Sequence, residues 1–288
     1  MKKTLQKRLF TGALVLMTAV MGGQPAHAAV NKYQAMVNAD VKKFQAYFHK
    51  EFPDVKLDDF ANGVYALDED ARKQWKEMEE FPPYELDVEA GKAIFNQPFA
   101  NGKSLASCFP NGGAVRGKYP YFDEKRKQVV TLEMAINDCR VANGEKPYPG
   151  FKGDLAKVSA YMAYISRGQK IDVKVNSAAA YNAYLKGKAF FYGKRGQLNM
   201  SCSGCHMEYA GRHLRAEITS PALGHTTHFP VFRSKWGEIG TLHKRYAGCN
   251  ENIGAKPFAE QSEEYRNLEF FQTIMSNGLK FNGPASRK

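Results

Sequence analysis

The sequence predicts a mainly α-helical protein in which one small domain occurs twice in tandem. Three observations predict it. Apolar residues recur at helical spacing in several segments, two halves of the chain match at a constant offset, and alternating strand patterns are scarce. The length of 288 residues suits two small domains or one large one. A hydrophobic fraction of 43 % supplies a packed core and argues against wholesale disorder.

The helices justify the first observation. Asn31 to His49 spaces Tyr33, Val37, Val41, Phe44 and Phe48 three or four residues apart. Asp154 to Arg167 places Leu155, Val158, Met162 and Ile165 on one face and stops at Gly168. Ser262 to Asn277 does the same with Tyr265, Leu268, Phe271 and Met275, stopping at Gly278. "KYPYFDEKRKQVVT", Lys118 to Thr131, reads as a loop or a short hairpin.

The repeat justifies the second. "CRVANGEKPYPG" from Cys139 aligns without a gap on "CNENIGAKPFAE" from Cys249, an offset of 110 residues that Ser166 and Gly168 keep with Ser276 and Gly278. Upstream, "GKAIF" at 91–95 matches "GKAFF" at 187–191, and "LASC" ending at Cys108 matches "NMSC" ending at Cys202. The common order is explained by duplication. It divides the chain into residues 29–172 and 173–288, joined near 170–178.

Residues 1–28 read as a signal peptide. Lys2, Lys3, Lys7 and Arg8 precede a short apolar run from Leu9 to Met21, and Ala26-His27-Ala28 supplies the cleavage site. That run is too short to span a bilayer, and no later segment approaches a membrane span. The expected compartment is the periplasm. The formal charge of +12 falls to about +8 without the leader. Such a chain attracts small anions or an acidic partner. Nucleic acid is a poor candidate, because the Lys and Arg are scattered and the chain is exported.

Five cysteines in an oxidising compartment each need a role. "CSGCH" at 202–206 is a c-type haem attachment signature: Cys202 and Cys205 add to the two vinyl groups, and His206 reaches the iron from the proximal side. A redox or zinc C-x-x-C needs no adjacent histidine, and no second C-x-x-C exists. The fold expected is therefore two tandem cytochrome c-like domains. The first has Cys108 but "FPNGG" after it, so Asn111 and Gly112 stand where Cys205 and His206 would be, and covalent haem is not expected there. Cys108 and Cys139 then occupy former haem positions, would lie close, and are expected to form a disulfide.

Cys249 remains, in the haem half, where a distal ligand would come from. His225, His228 and His243 compete for that place, while Met275 reads as core. Thiolate would stabilise ferric iron and make a poor simple electron carrier, which makes sense if the sulfur itself reacts. Arg245 shares a helical face with Cys249 if that stretch is helical, and a guanidinium there suits an oxyanion. From spacing alone it could equally be a surface residue.

C-x-x-C-H followed by "RYAGCN" at 245–250, behind a degenerate first domain, resembles the SoxA family of thiosulfate-oxidising cytochromes, in its single-haem form. The likeness covers essentially the whole mature chain, and "RYAGCN" is its specific part. It implies one covalently bound haem c, a heterodimer with a SoxX cytochrome, and oxidative conjugation of thiosulfate to a cysteine of a SoxYZ carrier. It also implies that Cys249 is distal ligand and catalytic sulfur, and that Arg245 binds substrate. A plain periplasmic electron-transfer cytochrome, with no sulfur chemistry, is the alternative.

Overall fold

The computed structural model describes residues 31–214 and 217–287; the expected leader lies outside them. Helix α1 (Lys32–Glu51) begins where the Asn31 side chain accepts the N–H of Gln34. It buries Val37, Val41, Phe44 and Phe48, the spacing that predicts it, each worth about 1.5–3 kcal/mol if fully removed from water. A tight helical stretch (Leu57–Ala66), α2 (Glu69–Met78) and α3 (Glu85–Asn96) follow. Next come a hairpin of β1 (Tyr121–Asp123) and β2 (Gln128–Val130), then α4 (Leu132–Ala142) and α5 (Asp154–Tyr164). The segment expected to be loop or hairpin is thus the hairpin.

The second half runs α6 (Ala178–Tyr192), a two-residue ladder of β3 (His213–Leu214) with β4 (Glu217–Ile218), and the hairpin of β5 (Val231–Arg233) with β6 (Glu238–Gly240). Then come α7 (Leu242–Asn252), α8 (Glu263–Met275) and β7 (Ala285–Arg287), which lies parallel to β5. The repeat is visible as structure. Tyr121 faces Val130 across the first hairpin, and Val231 faces Gly240 across the second. Thr131 caps α4 by accepting the N–H of Met134, and Thr241 caps α7 by accepting that of Lys244.

The helix pairs repeat as well: α3 crosses α5, and α6 crosses α8. At Gly91 a Cβ would collide with the carbonyl oxygen of Lys157; at Gly187 it would collide with that of Asn267. Lys157 and Asn267 stand at the offset of the sequence repeat. Both crossings therefore need a residue without a side chain at the same place.

Each half has its own core. Phe95, Phe99, Phe109, Leu132 and Ile136 close the first, with Cys139 among them. The second is built on α6 and α8, and α1 joins it: Phe44 meets Phe191 and Phe271 with ring centroids 6.2 and 6.5 Å apart. The N-terminal helix thus packs against the second half of the sequence. No helix among the described residues is long and apolar enough to cross a membrane.

Candidate functional site

The attachment motif lies between α6 and β3 on a short turn, Gly204–Glu208, whose Gly204 N–H donates to Ser201 Oγ at 3.0 Å. Cys202, Cys205 and His206 line a cavity of about 340 Å³ that α7 closes from another side. The cavity wall is largely apolar, with Phe190, Phe229, Val231, Leu242 and Leu268 on it.

His206 is prepared as a ligand. Its Nδ1 lies 2.9 Å from the carbonyl oxygen of Ser220, which can only accept, so Nδ1 carries the proton and Nε2 is left with a free lone pair. Burial, helped by the charge of Arg245, holds its pKa down at about 4, keeping the imidazole neutral. Burial first, then the neighbouring Cys249, pushes the Cys202 thiol up to about 12. An uncharged thioether suits such a place. The donor set, the apolar wall and the free Nε2 together fit a c-type haem.

The rival histidines separate by geometry. His225 packs edge-on against His206, ring centroids 4.3 Å apart, so it stands on the proximal side. Both its nitrogens are engaged: Nε2 lies 3.0 Å from Ser220 Oγ, and Nδ1 lies 3.3 Å from the Gln272 amide nitrogen. His243 lies 3.2 Å from Glu269 in the core and is not on the cavity wall. His228 lines the cavity but is buried against Phe229 and lies 3.3 Å from Thr227 Oγ1. Met275 is core, as its helical spacing predicts.

Cys249 and Arg245 both lie on α7, one helical turn apart, and both line the cavity. Cys249 is a free thiol, and its influence on the Cys202 and Cys205 thiols places it near the attachment cysteines. Arg245 makes no side-chain hydrogen bond or ion pair among the described residues, so its guanidinium is free to meet an anion.

In the first half Cys108 and Cys139 are joined in a disulfide, as their place in the repeat predicts, with Cα atoms 6.1 Å apart. Among the cavity-wall residues that sequence reasoning missed are Ser220, which holds His206, and Arg233 and Arg287, which add positive charge. No motif marks them. β5, β7 and the loop before them bring them in from far along the chain.

Fold and site define a c-type cytochrome built of two related halves, in which a thiol and a free arginine share the haem cavity. A family model described as "SoxA/TsdA, cytochrome c domain" matches residues 90–171, all within the half without the attachment motif. An L-cysteine S-thiosulfotransferase subunit SoxA of Chlorobaculum tepidum is 84 % identical over the whole of both chains. That of Allochromatium vinosum is 51 % identical over 85 % of this chain and 88 % of its own. The crystal structure of SoxXA from P. pantotrophus matches with a TM-score of 0.69 and 28 % identity, over 75 % of this chain and 84 % of that one. The chain belongs to the SoxA family.

Proposed function

We propose that this chain is the haem-bearing subunit of an L-cysteine S-thiosulfotransferase. It would conjugate thiosulfate oxidatively to a cysteine of a SoxYZ-type carrier, paired as a heterodimer with a SoxX-type cytochrome in the periplasm. The observation that carries the reading is the placement of Cys249 and Arg245 on one face of α7, in the cavity that holds Cys202, Cys205 and His206. One haem c per chain follows from the single attachment motif, residues 29–172 being the domain without haem and 173–288 the domain with it.

Cys202 and Cys205 would hold the haem by thioethers, and His206 Nε2 and the Cys249 thiolate would be the residues that bind its iron. Bound there, the haem supplies the exit for electrons. Arg245 would take the sulfonate end of thiosulfate by charge-assisted hydrogen bonds and so aim the outer sulfur at Cys249 Sγ. Joining thiolate and thiosulfate makes one S–S bond, gives an S-thiosulfonate on Cys249 and releases two electrons. The carrier thiolate then attacks the outer sulfur, takes the thiosulfonate and returns Cys249 as thiolate, with no further oxidation.

Cys249→Ala tests the reading. It should abolish conjugation while leaving haem attached through Cys202 and Cys205, and normal turnover in that variant would sink the scheme in which Cys249 carries the thiosulfate. Low-temperature EPR of the oxidised holoprotein tests the ligand separately: the narrow low-spin spread of a thiolate-bound ferric haem should disappear in the same variant.

A further inference from the structure

We propose that Arg233 is a second anion-binding residue of this cavity, which closes with Arg245 on doubly charged sulfur oxyanions. The inference rests on the reading above for its substrate, thiosulfate, but not for the existence of the anion site.

Among the described residues four arginines line the cavity wall: Arg195, Arg233, Arg245 and Arg287. Two are tied down. Arg195 donates to the carbonyl of Phe190 and stacks on that ring, 3.5 Å from its centroid. Arg287 donates to the carbonyls of Ser286 and Asn62 and lies 4.6 Å from the Tyr65 ring centroid. Neither guanidinium is free to turn toward a ligand without losing backbone partners.

Arg233 differs. It ends β5, beside Arg287 of β7 in the sheet register. Its side chain is 11 % exposed, and its Nε is buried without a hydrogen-bond partner. Its one ion-pair partner among the described residues is Glu217 of β4, at 3.5 Å and itself 59 % exposed. Its guanidinium carbon also lies 5.5 Å from the Trp236 ring centroid, a contact that engages no N–H. A buried guanidinium with an idle N–H and one solvated carboxylate partner is a site that a better-placed anion can claim.

The electrostatics point the same way. Burial first, and the charge of Arg245 next, make the Arg233 cation harder to keep, while Glu217 and then Cys249 relieve it. Two guanidiniums lining one cavity together with Cys249 are stabilised by a dianion far more than by a monoanion. Arg245 alone suffices to hold a singly charged sulfonate. The pair selects the second charge, which in thiosulfate resides partly on the outer sulfur that Cys249 must meet.

The test is calorimetric binding of thiosulfate and, separately, of sulfate to the haem-loaded two-subunit complex, with its haems reduced and carrier absent, so that no thiosulfate is oxidised. Loss of a charge-assisted contact in Arg233→Gln should weaken both about ten- to a hundredfold. Arg233→Lys, which keeps charge but loses the fork, should fall between. In turnover with carrier, KM for thiosulfate should rise by more than kcat falls. Glu217→Gln, at an exposed position, should tighten both anions by up to about fivefold, because it frees Arg233. Binding of sulfate within twofold of the parent in both Arg233→Gln and Glu217→Gln overturns the clamp, whatever thiosulfate does. Arg233-dependent sulfate binding with no conjugation of thiosulfate by the parent complex keeps the clamp and removes the proposed function. A variant that fails to fold shows itself by loss of the low-spin haem spectrum, and the decision then falls to Glu217→Gln.

Discussion

Arg116, in the half without the attachment motif, lies 3.6 Å from Glu269 of α8, and both side chains are withdrawn from solvent. Burial by itself raises the Glu269 pKa, but His243 and Arg116 outweigh it and hold the carboxyl below its usual range. His243 sits on α7, two residues before Arg245, and accepts the backbone N–H of Gln261 at 3.3 Å. Gln261 in turn accepts from Thr131 of the first half. The half without the attachment motif therefore reaches, through buried charges, the helix that carries Cys249.

Removing one member of that cluster should be costly. Arg116→Met leaves Glu269 as a buried charge with less compensation and should destabilise by about 3–5 kcal/mol. The double variant Arg116→Met with Glu269→Gln should recover part of the loss, since no unpaired charge remains. Denaturant unfolding of the two variants decides it; a single variant as stable as the parent would show that the charges are not coupled.

Gly91 and Gly187 make the same demand in two places. Either Gly→Ala change drives a methyl group into a backbone carbonyl, of Lys157 or of Asn267, and backbone cannot swing aside as a side chain can. Each should destabilise by about 1–3 kcal/mol or more. Gly187→Ala should also disturb the haem absorption spectrum, because α6 leads into the attachment motif. Gly91→Ala should leave that spectrum alone. Gly248, where an added Cβ meets nothing within 4 Å, is the internal control for helix propensity, and its Ala variant should cost nothing by packing.

Where the sequence could be read and where it could not divides along local and non-local physics. Val37, Phe44 and Phe48 reveal a helix with one buried face, because 3.6-residue spacing is a local property. They do not reveal that the face packs on Phe191 and Phe271 of the second half, since any apolar surface would satisfy the pattern. Asn31 and Ser262 open their helices as side-chain caps, which the reading by apolar spacing did not use. Cys249 and Arg245 were legible as a pair through the family resemblance of "RYAGCN", because their spacing alone left Arg245 as a possible surface residue until α7 put both on one helix. His225 was a fair rival as distal ligand in the sequence, and only the path of the chain between His206 and Ser220 puts it on the proximal side. Arg233 carried no signal at all, because its meaning depends on a sheet joining β5 to β7.

The disulfide should stabilise without touching the chemistry. It closes a loop of 31 residues, which in the chain-entropy account is worth about 2–4 kcal/mol. Replacing Cys108 and Cys139 together by Ser should lower the melting temperature, while the haem spectrum and the EPR signal stay as they were. A changed EPR signal in that double variant would mean that the first half acts on the iron's surroundings and does more than support them.

Glu260 gives the chain a pH dependence of stability with a definite sign. Its Oε1 is buried without a hydrogen-bond partner. Burial first and Glu133 second push its pKa up to about 8. An unfolded glutamate ionises near pH 4.5, so between there and about 8 the folded state holds a proton that the unfolded state has released. Stability therefore falls as pH rises through that window and levels off above it. Glu260→Gln removes the titration while keeping the shape. It should melt close to the parent at pH 5 and above it at pH 8.5, the gap opening across the window. Thermal unfolding followed at the two pH values checks this, and an equal gap at both would mean that Glu260 is solvated and titrates like a free side chain.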